Sequence, residues 1–133
     1  MSPNVERRCL QFAILIAGIV PVTGGLAGIL AAPWLLELTG TCGPSCDGHV
    51  RYLSGLLLGI GLVAWSLVPK VETAGRTFQL LTLLVVIGGF ARLSSITAVG
   101  LPSRLMFGGL LMELVVTPLL CVWQSRLARR FTL

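Results

Sequence analysis

The sequence predicts an all-α integral membrane protein, a single domain of four transmembrane helices in an up-down-up-down bundle. Of its 133 residues, 55% are hydrophobic and only 11% are charged, and the mean hydropathy is +0.92. Soluble domains carry about 25% charged residues, and a soluble chain this short could not bury so much apolar surface. The apolar residues are also gathered into four long runs, separated by short joints that contain Gly or Pro.

Each run is long enough for a helix that spans a membrane, which needs roughly 17–25 residues. The first run exceeds the ~7–15 apolar residues of a signal peptide core, so we expect a retained span. Pro21 and Pro118 fall inside the first and fourth runs. Each lacks an N–H and clashes with the carbonyl one turn earlier, so each should kink its helix. The predicted helices are residues 10–36, 52–68, 76–97 and 105–124.

Lysine and arginine are divided unevenly between the two predicted ends of the bundle. Only Arg51 and Arg104 fall at one end, whereas seven basic residues fall at the end that holds both termini. The positive-inside rule therefore places both termini in the cytoplasm, and in a bacterium the opposite end would face the periplasm. The net charge of +5 follows from this topology rather than from nucleic-acid binding, which requires a basic soluble face. The other end holds Arg7, Arg8, Lys70, Arg76, Arg126, Arg129 and Arg130.

Glycines recur at the spacing that allows helices to pack closely. The first run contains Gly24 and Gly28, the second contains Gly55 and Gly59, and each of the last two contains a Gly-Gly pair. Small residues four positions apart let helix backbones approach one another in lipid. We therefore expect a compact bundle.

Two opposite charges, Arg92 and Glu113, lie inside the third and fourth apolar runs. Ionisable side chains in lipid are costly and usually face a partner or a cavity, so we expect the two to pair inside the bundle. At 1.5 Å per residue, both lie in its periplasmic half. Ser95 shares the face of Arg92, and Arg51 lies at the start of the second helix. With Arg92 and Glu113, these two residues form the predicted ligand-binding set. The alternative is a structural ion pair that only locks two helices together.

Cys42 and Cys46 lie in a predicted periplasmic loop, where disulfides persist. We expect a structural disulfide between them, since the intervening Gly-Pro suits a tight turn. Two alternatives remain open. The pair could exchange thiols, although its C-x-x-x-C spacing differs from the C-x-x-C of thioredoxin-like motifs. It could also bind a metal with Asp47 and His49, although this spacing matches no standard zinc pattern.

Four short strings resemble a known family: Arg-Tyr-Leu-Ser-Gly-Leu at 51–56, Gly-Gly-x-x-Arg-Leu-Ser at 88–94, Gly-Leu-Pro at 100–102, and Glu-Leu-Val-x-x-Pro-Leu at 113–119. Through them the chain from Arg51 to Trp123 resembles an uncharacterised bacterial family of small membrane proteins, a domain of unknown function. The resemblance implies a four-helix membrane protein with Arg92 and Glu113 among its motif positions, and it implies no activity. The architecture is also loosely similar to DoxX-type membrane proteins, by fold analogy alone.

The leading functional expectation is a small non-enzymatic inner-membrane protein, either an accessory subunit or a binder of a small ligand or lipid. A polar pocket of Arg51, Arg92, Ser95 and Glu113 would open to the periplasm. The sequence has no nucleotide, metalloprotease or nucleophile motif, and we expect no cofactor and no metal. The partners expected are the lipid bilayer and a second copy or a larger membrane complex. The alternative is a membrane thiol or quinone oxidoreductase that uses the two loop cysteines.

Overall fold

The computed structural model describes residues 2–31 and 43–131, and every regular element in them is helical. Four of the helical stretches are long and apolar enough to cross a membrane. The predicted fold class is confirmed in this respect. In chain order the elements are α1 (Pro3–Ala31), α2 (Pro44–Leu67), a 3₁₀ turn (Val68–Lys70), α3 (Gly75–Val99), α4 (Arg104–Leu111), a π-helical turn (Met112–Val116) and α5 (Thr117–Phe131).

Three helices extend beyond the apolar runs from which they were predicted. α1 begins at Pro3 and α2 at Pro44, seven and eight residues early, while α5 continues to Phe131. Proline suits the first helical position because its φ is already set and its missing N–H has no partner to lose. Because the polar residues at the end of a helix do not belong to the apolar run, the length of the run underestimates the length of the helix. Residues 32–36 of the predicted first helix lie outside the described residues.

The described residues group into two compact units. The first unit combines the start of α1, through Ala17, with the chain from Leu67 onward. In it, α3 packs against the π-helical turn and α5, in antiparallel order: Gly89 lies against Leu114, and Gly75 lies against Gln124. Its buried apolar side chains are Leu10, Ile14, Val71, Phe78, Leu110, Leu120 and Leu127.

The turn between α3 and α4 is built by local backbone chemistry. Gly100 adopts a φ of 111°, which favours glycine, and its N–H donates to the Ile96 carbonyl at 3.0 Å. Ser103 then caps α4, where its hydroxyl oxygen accepts a hydrogen bond from the Met106 N–H at 3.5 Å. The chain therefore reverses in four residues, which brings Arg92 and Glu113 onto neighbouring helices.

The second unit, from Gly18 to Ser66, pairs the rest of α1 with α2 through close backbone contacts. A Cβ at Gly25 would lie 2.6 Å from the Leu58 nitrogen, and one at Gly61 would lie 2.6 Å from a Val22 methyl. The expectation of glycine-mediated packing is right for part of the predicted set. A Cβ at Gly24 would lie 3.7 Å from a Leu57 methyl, whereas a Cβ at Gly55 or Gly59 would meet no atom of the described residues within 4 Å.

Candidate functional site

The predicted partners Arg92 and Glu113 form a two-bond fork in the first unit. Arg92 Nε donates to Glu113 Oε2 and Arg92 Nη2 donates to Glu113 Oε1, each at 3.0 Å. Parallel bonds of this kind hold both planar groups in one orientation and are stronger than hydrogen bonds between neutral groups. The expected pairing of the two charges is therefore present.

Gly89, one turn before Arg92 on α3, is what allows the fork to close. A Cβ at this position would lie 2.7 Å from Leu114 Cδ2 and 3.0 Å from Glu113 Cβ. Real carbon atoms rarely approach so closely, so only glycine lets α3 come this near to the π-helical turn. The neighbouring Gly88 has no atom within 4 Å of its would-be Cβ.

The helix that carries Glu113 widens to a π-helical turn at Met112–Val116. Two residues after this turn comes Pro118, which lacks the N–H that would bond to the Leu114 carbonyl and would clash with it in a regular helix. The Met112 carbonyl accepts both the Thr117 N–H and the Thr117 hydroxyl, the latter at 2.8 Å. The sequence predicted a kink at Pro118, and the helix accommodates this proline with an extra residue in the preceding turn.

The prediction that this ion pair is buried is not supported. The side chains of Arg92 and Glu113 are 29% and 16% exposed in the isolated chain. The reason is geometric, because in this unit the π-helical turn and α3 cover one side of the fork and leave part of the guanidinium uncovered. Among the described residues, the acceptor of Arg92 Nη1 is the Met106 sulfur at 3.5 Å; thioethers are poor hydrogen-bond acceptors.

The other two predicted ligand-binding residues are not joined to this fork by a hydrogen bond or ion pair in the described part of the chain. Ser95 is exposed on α3, one turn beyond Arg92. Arg51 belongs to the second unit, where its Nε donates to Asp47 Oδ2 at 2.7 Å and its Nη1 donates to the Ile29 carbonyl. Their membership of one pocket with Arg92 and Glu113 stays a prediction.

The cysteine segment begins a helix where a loop was expected. Cys46, Asp47 and His49 all lie in the first two turns of α2, and the Asp47 N–H donates to the Gly43 carbonyl. Cys42 lies outside the described residues, so its disulfide with Cys46 stays a prediction. Within residues 2–31 and 43–131 no three His, Cys, Asp or Glu side chains are placed to hold a metal. No observation in this segment favours the redox alternative.

Sequence reasoning missed a second polar cluster, at the end of the first unit where α1 starts and α5 ends. Glu6 is buried; its carboxylate accepts the Trp123 indole N–H at 3.3 Å and pairs with Arg130 at 2.8 Å. Arg7 pairs with Glu72 at 3.0 Å. We call this the basic end, because it collects the seven basic residues that the sequence assigned to one side. The sequence signal that could have revealed this cluster is the presence of two acidic residues, Glu6 and Glu72, among those basic residues.

The basic end and the fork lie far apart in this unit. Buried Gln124 of α5 donates to the Val71 carbonyl at 2.7 Å, just before α3 begins. Arg92 lies 17 residues beyond Gly75 along α3, which corresponds to roughly 25 Å at 1.5 Å per residue. That separation approaches the ~30 Å thickness of the hydrocarbon core of a bilayer.

The comparison with protein families gives a match over most of the chain. A family model described as "Domain of unknown function (DUF4345)" matches residues 9–124. The chain belongs to this family. The DUF4345 match includes most of α1, which the resemblance from Arg51 to Trp123 did not cover, and it includes both Arg92 and Glu113. No curated protein and no solved structure matches the chain, so membership of DUF4345 supports the helical architecture and no particular activity.

Proposed function

We propose that this DUF4345 member is a small non-enzymatic protein of the bacterial inner membrane that binds the polar group of a small ligand or lipid at Arg92 and Glu113. Its four helices would cross the membrane in an up-down-up-down bundle, with both termini in the cytoplasm. Support for the orientation comes from the basic end, because positive residues favour the cytoplasmic side. The fork would then lie toward the periplasm.

The partly exposed fork is the single observation that carries this proposal. Glu113 engages two nitrogens of Arg92 and holds the guanidinium in one plane. Within residues 2–31 and 43–131, the acceptor for the third nitrogen is the Met106 thioether, so this nitrogen retains the capacity to donate to a stronger acceptor. An oxygen of a carboxylate, phosphate or carbonyl group would be preferred over sulfur there. In this arrangement Arg92 contacts the ligand and Glu113 orients Arg92.

In the second version of this proposal, the polar group bound at the fork belongs to a partner subunit. A partly exposed ion pair at membrane depth is costly unless protein, water or a lipid headgroup covers it. A second copy of the chain, or another subunit of a larger complex, would cover the open side of the fork and make this protein an accessory subunit. The polar acceptor for Arg92 would then come from that partner.

Mass spectrometry of molecules that co-purify with the protein tests the proposal. Wild type, Arg92→Lys and Arg92→Gln are purified in a mild detergent, with Arg126→Gln as a control because Arg126 is an exposed arginine at the basic end. We expect a lipid, small molecule or subunit that is retained by wild type and by the control and is depleted in both Arg92 variants. Identical profiles for all four proteins, with all four folded by circular dichroism, would refute the assignment.

A further inference from the structure

A cavity at the start of α1 belongs to the basic end rather than to the Arg92–Glu113 fork. It has a volume of about 380 Å³, and its walls include Asn4, Val5, Arg7, Arg8 and Gln11. Positions 4, 8 and 11 follow the three- and four-residue spacing of a single helix face. The cavity therefore lies along the first two turns of α1, with two arginines on its wall.

The acidic groups near this cavity already have cationic partners. Glu6 is buried and paired with Arg130, and Glu72 is paired with Arg7. Arg8 is exposed, and the described part of the chain shows no carboxylate within ion-pair distance of it. The cavity wall thus carries a positive charge that the protein itself does not neutralise.

Two of the polar side chains on the wall are held in place and still have hydrogens to donate. Arg7 Nη2 donates to the Pro69 carbonyl at 3.0 Å, and Nε lies 3.0 Å from Glu72 Oε2 as an ion pair without hydrogen-bond geometry. Among the described residues, no hydrogen bond from Arg7 Nη1 to protein is present. Gln11 donates one amide hydrogen to the Val68 carbonyl at 2.9 Å, which leaves the other. With the guanidinium of Arg8, these groups can surround the oxygens of one phosphate.

An exposed apolar strip continues from the cavity along the same helix. Phe12 and Ile16 lie one and two turns beyond Arg8, and they are 69% and 58% exposed. From Arg8 to Ile16 the helix rises about 12 Å. A positive site that continues into an apolar strip matches a phospholipid, whose charged headgroup lies at the surface and whose chains run inward. Free phosphate would use the donors and leave the strip uncovered.

We propose that this cavity binds the phosphate of an anionic phospholipid of the cytoplasmic leaflet, with the acyl chains against Phe12 and Ile16. Arg8 supplies the main charge, while Arg7 and Gln11 supply fixed donors. The inference rests on the membrane insertion stated under the proposed function, and it concerns a different site from the fork. Anionic lipids concentrate at the cytoplasmic surface and attract basic segments there.

Lipid titration of the purified full chain tests this inference. Delipidated protein in neutral detergent is titrated with dioleoyl phosphatidylglycerol, dioleoyl phosphatidylcholine or inorganic phosphate, and bound lipid is counted by native mass spectrometry. Loss of one charge-assisted contact should weaken phosphatidylglycerol binding about tenfold in Arg8→Gln, and Arg8→Lys should retain part of it. Arg129→Gln, which removes an exposed arginine of the same end that does not line the cavity, should change binding less than about twofold, as expected for a screened surface charge.

Three results would overturn the inference. They are equal binding of the two lipids, equal loss in Arg8→Gln and Arg129→Gln, and competition by inorganic phosphate at concentrations similar to those of the lipid. Extraction of the chain from membranes by alkaline carbonate would instead refute the proposed function, so the two failures are distinguishable.

Discussion

Substitution of Gly89 by alanine should separate the two elements that carry the fork. The added Cβ would lie 2.7 Å from Leu114 Cδ2, 2.9 Å from Leu114 Cγ and 3.0 Å from Glu113 Cβ. Ordinary contacts between carbon atoms are about 3.5–4.0 Å, so the Leu114 side chain must move by up to roughly 1 Å and Glu113 Cβ by a few tenths of an ångström. Part of that shift would be transmitted to the Glu113 carboxylate and would misalign its two bonds to Arg92.

The expected cost is about 1–3 kcal/mol, the usual range for an overpacked site. Gly88→Ala is the matched control, since its Cβ would meet no atom within 4 Å. Both variants place alanine in the interior of the same helix, so the gain in helix propensity of about 0.5–1 kcal/mol is common to both. The difference in unfolding free energy between the two variants therefore reports the close approach alone.

Unfolding in mixed micelles, followed by circular dichroism as the fraction of sodium dodecyl sulfate increases, measures that difference. We expect Gly89→Ala to unfold at a lower fraction than wild type, and Gly88→Ala to unfold at the same fraction or higher. If Gly89→Ala is as stable as Gly88→Ala, the close packing of α3 on the π-helical turn is refuted. The explanation for the geometry of the fork would then fail as well.

Three further predictions address other contacts. Gly25→Ala should lower the free energy of unfolding by at least about 2 kcal/mol, because the added Cβ would meet the Leu58 backbone. The control Gly24→Ala should be nearly neutral, because its Cβ would lie 3.7 Å from a leucine methyl. Equal melting temperatures of the two variants would contradict this prediction. A double-mutant cycle of Arg92→Gln and Glu113→Gln should give a coupling energy of about 1–2 kcal/mol, and strict additivity would argue against the fork. Cys42 should resist alkylation until a reductant is added. Cys9 and Cys121 are free and react in either case, so the label is located by peptide mass spectrometry, and a label on Cys42 in unreduced protein would exclude the predicted disulfide.

The pairing of the two charges in the apolar runs was predictable, and the exposure of the pair was not. Arg92 and Glu113 are ionisable residues of opposite sign within consecutive apolar runs, and the cost of an isolated charge in lipid makes a partner necessary. How much of the fork is covered depends on which helices pack around it. That information is not contained in the spacing of two residues.

Which glycines make close contacts was equally unpredictable from the sequence. Gly88 and Gly89 are adjacent in the sequence and identical in chemistry, yet only Gly89 faces the π-helical turn. Rotation by about 100° per residue on a helix of 3.6 residues per turn places neighbouring positions on different faces. The ion pairs of the basic end could not be predicted for a related reason. Glu6 and Arg130 are 124 positions apart, and only the packing of α1 against α5 brings them together.

The sequence by itself determined that this chain forms four helices long and apolar enough to cross a membrane, because apolar composition and run length are properties of the chain that no packing can alter. It also determined which charges needed a partner. The tertiary structure decided where the helices end, which face of each helix makes contact, and how far the fork is covered. These depend on interactions between residues distant in sequence, whose energies are not contained in any local pattern.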